Sequence, residues 1–235
     1  MDPEILPSTI PLQFVATEKA GAVSALMCRP EKAKWLLLLA HGAGAGMKHA
    51  FMESISVALF ELDIATFRYR FPYRERGKRF PDSQKTLLAT VESAVVAASE
   101  AAPELQLLAG GKSMGGRMTS LLAAQSGLSM VQGLVFLGFP LHAPGRAEVR
   151  RADHLPQIEM PMFFLQRTRD KLADLTLLGP ICAQLRDRAT LHVVESADHS
   201  FHVPRKSGKT DHEILGQLAS VMIADWTTGL LPRKS

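Results

Sequence analysis

The feature that most constrains the fold is a regular alternation of short apolar runs with longer segments of helical periodicity. The first run, residues 36–39, consists of four leucines and is followed, after Ala40, by the loop sequence HGAGAG. A run without polar alternation is typical of a strand that is buried on both faces of a parallel sheet. The chain is therefore expected to build a sheet covered by helices.

The alternation continues along the chain, and its periodicity switches repeatedly between strand and helix. The pattern predicts strands over 63–69, 105–111, 131–140, 161–166 and 190–195, and helices over 50–61, 83–102, 114–125, 172–187 and 213–231. Residues 12–17 and 22–28 could add antiparallel strands at one edge. Such repetition predicts an α/β fold with a mainly parallel sheet, helices on both faces and binding loops at the carboxyl ends of the strands.

Length and composition favour one domain over residues 1–235. Hydrophobic residues make up 46% of the chain and charged residues 21%, as in globular proteins. The longest strongly apolar stretch, WLLLLA, is too short to cross a bilayer, and the N-terminal segment lacks the basic start and apolar run of a signal peptide. We therefore expect a cytoplasmic location without membrane association.

Two cysteines, Cys28 and Cys182, fall in a predicted strand and a predicted helix. A disulfide framework is therefore not expected, and two thiolates are too few for a typical cysteine metal site. We interpret both as core residues and expect neither a metal nor another cofactor.

The net charge of +4 raises the possibility of nucleic-acid binding. Its densest part is RYRFPYRERGKRF at 68–80, which no nucleic-acid motif accompanies. We therefore interpret this stretch as a solvated loop and expect no nucleic-acid partner. The sequence does not constrain the oligomeric state.

Residues 111–115, Gly-Lys-Ser-Met-Gly, match the pattern G-x-S-x-G between a predicted strand and a predicted helix. In that context the pattern indicates a nucleophile elbow, a strained turn that presents a serine hydroxyl at the top of the sheet. Ser113 is therefore the candidate nucleophile. A serine hydroxyl needs an imidazole to accept its proton and a carboxylate to orient the imidazole.

Candidates for the base and the acid follow late strands, because the chain order in this fold is serine, acid, histidine. His199 follows the strand at 190–195 and is favoured over His202 in the same loop. Asp170 follows the strand at 161–166, whereas Asp174 is better explained as a residue of the first helical turn. Asp198 ranks third.

Two backbone N–H groups are expected to bind the oxyanion of a tetrahedral intermediate. One belongs to Met114, the residue after the nucleophile, and the other to Ala43 in the HGAGAG loop. The glycines of that loop could instead cradle a phosphate, but neither phosphate-binding glycine pattern is complete here.

In six motifs the chain resembles the α/β-hydrolase superfamily, in the small branch related to dienelactone hydrolases. The motifs are LAHGAGAGM, FRYRFPYRERGKRFPD, GGKSMGGRM, GFPLHAPG, FLQRTRD and ADHSFHVPRKSGKT. More narrowly, they are similar to the hydrolase-like domain of the third subunit of the NSL chromatin complex, its small testis-expressed relative and uncharacterised bacterial proteins.

The resemblance implies an α/β-hydrolase fold with Ser113, Asp170 and His199 as the triad and with Ala43 and Met114 as oxyanion donors. Dienelactone hydrolases use a cysteine nucleophile, so the serine in this chain weakens the inference that it shares their substrate. The superfamily often has glycine three residues before the acid, where this chain has Arg167. Arg167 either points to solvent or pairs with a nearby carboxylate.

The leading hypothesis is a serine hydrolase that acts on a small acyl substrate. The alternatives are a non-catalytic protein-interaction module on the same fold and a serine peptidase. The connection at 141–160 is too short for a helical cap domain, so an open site is expected. The basic loop after the strand at 63–69 should lie near the opening, and Arg70 and Arg74 are candidates to favour acidic substrates.

Overall fold

The computed structural model describes residues 7–143, 145–168, 170–194 and 221–230. Within these residues, eight strands form one sheet in the order β1-β2-β4-β3-β5-β6-β7-β8. The strands are β1 (Ile10–Thr17), β2 (Gly21–Cys28), β3 (Trp35–Ala40), β4 (Ile64–Tyr69), β5 (Gln106–Lys112), β6 (Val131–Leu137), β7 (Met162–Arg167) and β8 (Ala189–Val194).

Six adjacent strands, from β4 to β8 in sheet order, are parallel. Strand β3 pairs with β4 on one side and with β5 on the other, and all six of its residues are buried. The strands β1 and β2 form an antiparallel hairpin, and β2 also runs antiparallel to β4. The prediction of a mainly parallel sheet with antiparallel strands at one edge is therefore confirmed.

Helices cover both faces of the sheet, as predicted. They are α1 (Ala50–Phe60), α2 (Pro72–Glu75), α3 (Gln84–Ala101), α4 (Met114–Ser126) and α5 (Leu175–Gln184). Apolar residues of α3, α4 and α5 belong to the core on one face, and those of α1 belong to the core on the other. Residues 221–230 join the α1 side, where the Trp226 ring lies 5.8 Å from the Phe163 ring.

Several element boundaries differ from the sequence prediction for local reasons. Strand β6 ends at Leu137 because Gly138 adopts a φ of +79°, which extended backbone does not allow. Helix α5 begins at Leu175 because the Asp174 carboxylate accepts a hydrogen bond from the Thr176 N–H and caps the helix. The predicted closing helix is described only from residue 221 onward.

The connection between β6 and β7 forms two short 3₁₀ turns, Arg150–Ala152 and Leu155–Gln157. In the described part of the chain no cap domain covers the carboxyl edge of the sheet. Both cysteines are buried and unpaired, which confirms their assignment to the core. Among the described helices, none is both long and apolar enough to cross a bilayer.

The prediction of a solvated loop over 68–80 is correct only for its last part. Arg68 lies in β4 and is 3% exposed, while residues 72–75 form the short helix α2. Only residues 76–80 are exposed. The basic stretch therefore begins in the sheet, where sequence patterning indicates a strand but does not show which way its arginine points.

Candidate active site

Ser113 occupies the turn between β5 and α4 in a backbone conformation that is rare for its residue type. Its φ is +50° and its ψ is −115°, and its side chain is partly exposed. A non-glycine residue with positive φ carries strain of about 1–3 kcal/mol, which is typical of functional turns. The Ser113 N–H donates to the Leu137 carbonyl at 3.3 Å, which ties the turn to β6.

The glycines beside Ser113 let this turn pack directly against the end of β3. Gly111 has a φ of +149°, and a Cβ on it would collide with the Ala40 carbonyl oxygen. A Cβ on Gly115 would lie only 2.5 Å from the same oxygen. Because these contacts are with backbone, no side-chain movement could relieve them. The glycine cluster therefore allows the close approach of β5 and α4 to β3 that holds Ser113 in place.

The loop after β3, which carries Ala43, lies beside Ser113. A Cβ on Gly42 would be 3.7 Å from the Ser113 Cβ. The Gly42 carbonyl accepts hydrogen bonds from the Ala45 N–H at 3.1 Å and from His41 Nδ1 at 2.8 Å. In a trans peptide the C=O and the following N–H point in opposite directions, so these bonds fix the direction of the Ala43 N–H.

His41 makes this arrangement stable because both ring nitrogens have partners that suit one neutral tautomer. Nδ1 donates to the Gly42 carbonyl, and Nε2 accepts from the Phe71 N–H at 3.2 Å. Burial, together with the positive charges of Arg74 and Arg70, lowers the pKa of His41 to about 4, although the hydrogen bond to the Gly42 carbonyl acts in the opposite direction. The imidazole is therefore uncharged at neutral pH, as its two hydrogen bonds require.

Tyr73 holds the same loop from the basic segment. Its hydroxyl donates to the Ala43 carbonyl oxygen at 2.7 Å. Burial raises the pKa of Tyr73 to about 12, so the hydroxyl keeps its proton and remains a donor. His41 and Tyr73 together link the loop after β3 to the segment after β4.

The other predicted oxyanion donor, Met114, is the first residue of α4. The N–H groups of a first helical turn lack partners within the helix, and the helix dipole favours negative charge there. An anion that forms at Ser113 would therefore meet a favourable potential.

Asp170 is buried three residues after β7, at the carboxyl edge of the sheet where Ser113 also lies. Its Oδ2 accepts from Gln166 Nε2 at 2.9 Å, and its Oδ1 accepts from the Leu172 N–H at 2.9 Å. Gln166 is itself fixed, because its Oε1 accepts from the Phe139 N–H at 3.0 Å. The carboxylate is therefore held in one orientation by groups from the ends of β6 and β7.

Arg167 pairs with this carboxylate, which decides between the two alternatives that the sequence leaves open. Its side chain is fully buried, and Nη2 contacts Asp170 Oδ2. Space for the guanidinium comes from Gly138, where a Cβ would lie 2.7 Å from Arg167 Cζ. Part of the Asp170 charge is therefore balanced by an arginine.

The described residues include part of the set considered for the triad. His199, His202 and Asp198 lie outside the described residues. Asp174 caps α5 from an exposed position, which agrees with its interpretation as a helix-start residue. The structure therefore places Ser113, the Ala43 loop and Asp170 at one edge of the sheet.

Arg70 and Arg74 line a cleft of about 340 Å³ next to the loop after β3. Residues 44–49 form the rest of its lining, and a Cβ on Gly46 would lie 3.9 Å from Arg74 Nε. Arg70 is partly neutralised, because its Nη1 is 3.6 Å from Glu75 Oε1. The two arginines thus contribute unequally to the positive charge of this cleft.

Sequence reasoning missed the residues that position the site, namely His41, Tyr73 and Gln166. His41 directly precedes the glycine loop, and Gln166 directly precedes the arginine that departs from the superfamily pattern, so both had a positional signal. Tyr73 lies in the basic stretch, whose charge pattern does not indicate a role for its aromatic residues. Their roles depend on contacts between distant segments, which a single sequence does not show.

Comparison with known proteins identifies the family to which this fold belongs. The model of the alpha/beta hydrolase domain family matches residues 33–227. The chain therefore belongs to the α/β-hydrolase family.

Solved structures of this family superpose on nearly the whole chain. A dienelactone hydrolase from Anabaena variabilis is 20% identical with a TM-score of 0.72, and the match covers 97% of this chain and 100% of that one. A serine hydrolase without a lid from Xanthomonas campestris is 17% identical with a TM-score of 0.71, and the match covers both chains completely. The protein Est1E from Butyrivibrio proteoclasticus is 14% identical with a TM-score of 0.65, and the match covers 92% of this chain and 99% of that one. At these identities the likeness establishes the fold.

Proposed function

We propose that the protein is a serine hydrolase that cleaves an ester, thioester or related acyl bond through an acyl-enzyme. Ser113 is the nucleophile, His199 the general base and Asp170 the acid that orients it. The observation that carries the proposal is the strained, partly exposed Ser113 at the junction of β5 and α4. Strain of this kind persists where the surrounding structure enforces it, as Gly111 and Gly115 do here.

In the first half of the reaction Ser113 Oγ attacks the acyl carbon while His199 accepts its proton. The carbonyl oxygen becomes an oxyanion, which accepts hydrogen bonds from the N–H groups of Ala43 and Met114. Because His41 and Tyr73 hold the Ala43 loop before substrate arrives, little reorganisation is needed when the charge develops. His199 then gives its proton to the leaving group, which departs and leaves Ser113 acylated.

In the second half a water molecule replaces the leaving group. His199 accepts a proton from the water, the resulting hydroxide attacks the acyl carbon, and the same two N–H groups bind the second oxyanion. The bond to Ser113 Oγ breaks, and the serine recovers its proton from His199. Asp170 remains ionised throughout and stabilises the imidazolium that forms twice in each cycle.

The substrate class that we propose is an acyl compound with a negative charge. Arg70 and Arg74 line a cleft beside the loop that carries Ala43, and a cleft lined by cations raises the local concentration of anions. Since Glu75 partly balances Arg70, Arg74 supplies the larger share of the attraction.

Hydrolysis of 4-nitrophenyl acetate by the wild type and by Ser113→Ala tests the proposal. A matched control is Ser120→Ala, because Ser120 also lies on α4 and its Oγ is 2.7 Å from His154 Nε2. Ser120 is fully buried, so it cannot meet a substrate. We expect Ser113→Ala to lose activity by about 10³-fold or more and Ser120→Ala to keep it. Equal activity of Ser113→Ala and the wild type would contradict the proposal.

A further inference from the structure

A second cleft lies against the sheet beside β2 and β4 and contains none of the residues proposed for catalysis. Its volume is about 420 Å³, within the range of small-molecule sites. The walls come from β2, β4, α1 and the segment before β1. Its charged side chains are Arg68, Lys48 and Glu53, and its apolar ones include Leu26 and Val57.

Arg68 is the unusual residue of this cleft, because it is 3% exposed and only partly bonded. Nη1 donates to the Met47 carbonyl at 3.0 Å. Nε is buried and has no acceptor among the described residues. The edge of an arginine that Nε and Nη2 form is suited to a carboxylate, which can accept two parallel hydrogen bonds from it.

The charge of Arg68 is also left without a close counter-ion. Within the described ranges, no carboxylate lies within 4 Å of its guanidinium. Burial lowers the pKa of Arg68, and the more distant Glu53 acts in the opposite direction, but arginine stays protonated in proteins. Burying a cation without a counter-ion costs free energy, and an anion bound beside it would offset that cost.

The lining of the cleft indicates the charge of such a ligand and the apolar character of its remaining part. Lys48 and Arg68 carry two positive charges and Glu53 carries one negative charge, so the net charge is +1. Cys28, which also lines the cleft, stays a neutral thiol because burial raises its pKa. A monoanion would therefore neutralise the cleft, and Leu26 and Val57 offer apolar contact.

We propose that this cleft binds a small aliphatic monocarboxylate, with its carboxylate on the Nε–Nη2 edge of Arg68 and its apolar part against Leu26 and Val57. The site contains none of the residues proposed for the triad, although Lys48 also lines the arginine cleft near Ser113, and binding here does not depend on hydrolase activity. Its occupant is a free ligand that binds by charge and shape, without a covalent step.

Isothermal titration with 4-methylpentanoate and with the matched neutral amide, 4-methylpentanamide, tests this inference. We expect saturable binding of the carboxylate and at least about 10-fold weaker binding of the amide. Arg68→Gln should weaken carboxylate binding by about 10-fold or more. Val57→Phe, which fills the cleft and keeps Arg68, should do the same and remains informative if Arg68→Gln does not fold.

Arg29→Gln, which removes an exposed arginine that pairs with Glu104, is the control and should bind 4-methylpentanoate like the wild type. Arg74→Gln, which removes charge from the cleft near Ser113, reports any binding of the carboxylate in that other cleft. The inference is overturned if the wild type does not bind the carboxylate or binds the amide equally well. It is also overturned if Arg74→Gln weakens binding while Arg68→Gln and Val57→Phe do not.

Discussion

Arg167 and Asp170 form a fully buried ion pair between the end of β7 and the residue proposed as the triad acid. The superfamily pattern often has a glycine where this chain has Arg167, and here the space for the larger residue is made by Gly138 at the end of β6. Gln166 and the Leu172 N–H also donate hydrogen bonds to the carboxylate. The charge of Asp170 is thus stabilised within the protein before any histidine is considered.

Removing the arginine from this pair should destabilise the fold. Arg167→Met leaves a buried carboxylate without its cation, and we expect a loss of about 3–5 kcal/mol in the free energy of unfolding. Urea denaturation at pH 7 measures this loss. Arg29→Met, which breaks the exposed pair with Glu104, is the control and should cost less than about 1 kcal/mol. Similar losses for the two variants would show that burial of the Arg167 pair has no special effect.

The assignment of the triad predicts a contrast between two aspartates four residues apart. Asp170→Asn should lower kcat/KM for 4-nitrophenyl acetate by about 10³–10⁴-fold, because the amide would favour the wrong tautomer of the base. His199→Ala should lose most of kcat. Asp174→Asn changes only an exposed helix cap and should stay within about 2-fold of the wild type. A larger loss from Asp174→Asn or from His202→Ala than from the proposed triad variants would overturn the assignment.

The fold and the strained turn at Ser113 could be predicted from the sequence because both depend on local patterns. The apolar run at 36–39 indicates a strand that is buried on both faces. The glycines around Ser113 indicate a turn with backbone angles that other residues rarely adopt. Which of its two alternatives Arg167 adopts could not be predicted, because the pairing depends on Gly138, which directly follows a different strand. The burial of Arg68 could not be predicted for a similar reason. The sequence predicts the strand and the positive charge of the stretch, but it does not show that the Arg68 side chain is buried.

The arginine cleft near the Ala43 loop predicts a preference for charged substrates. Matched aryl esters with and without a carboxylate should differ in kcat/KM by about 5-fold or more at low salt, and the difference should shrink at high salt. Arg74→Gln should reduce the preference more than Arg70→Gln, because Glu75 already offsets Arg70. Arg79→Gln, at an exposed position, is the control. Equal kcat/KM values for the two esters, unchanged by salt or by either substitution, would contradict this prediction.

Two histidines with lowered pKa values predict that the protein loses stability in mild acid. Burial lowers the pKa of His41 and of His154 to about 4, from an ordinary value of 6.5. Between these values the unfolded chain binds protons that the folded chain does not. Stability should therefore fall as the pH drops from about 6.5 towards 4, by up to about 1.4 kcal/mol per pH unit for each histidine.

The variant His154→Gln isolates one of these contributions. It removes a titrating group whose Nε2 contacts Ser120 Oγ, while His41 continues to hold the Ala43 loop. Urea unfolding at pH 7 and at pH 5 should show a smaller loss of stability for the variant than for the wild type. The same loss in both proteins would mean that His154 titrates normally in the folded state.

The central claim, that Ser113 is an activated nucleophile, is tested most directly by intact-mass measurement after treatment with a fluorophosphonate. We predict that the wild type gains a single phosphonyl adduct and that Ser113→Ala gains none. Ser120→Ala should label at the wild-type rate, because its serine is buried against His154. Labelling of Ser113→Ala at the wild-type rate would contradict the account, since the reactive serine would then lie elsewhere in the chain.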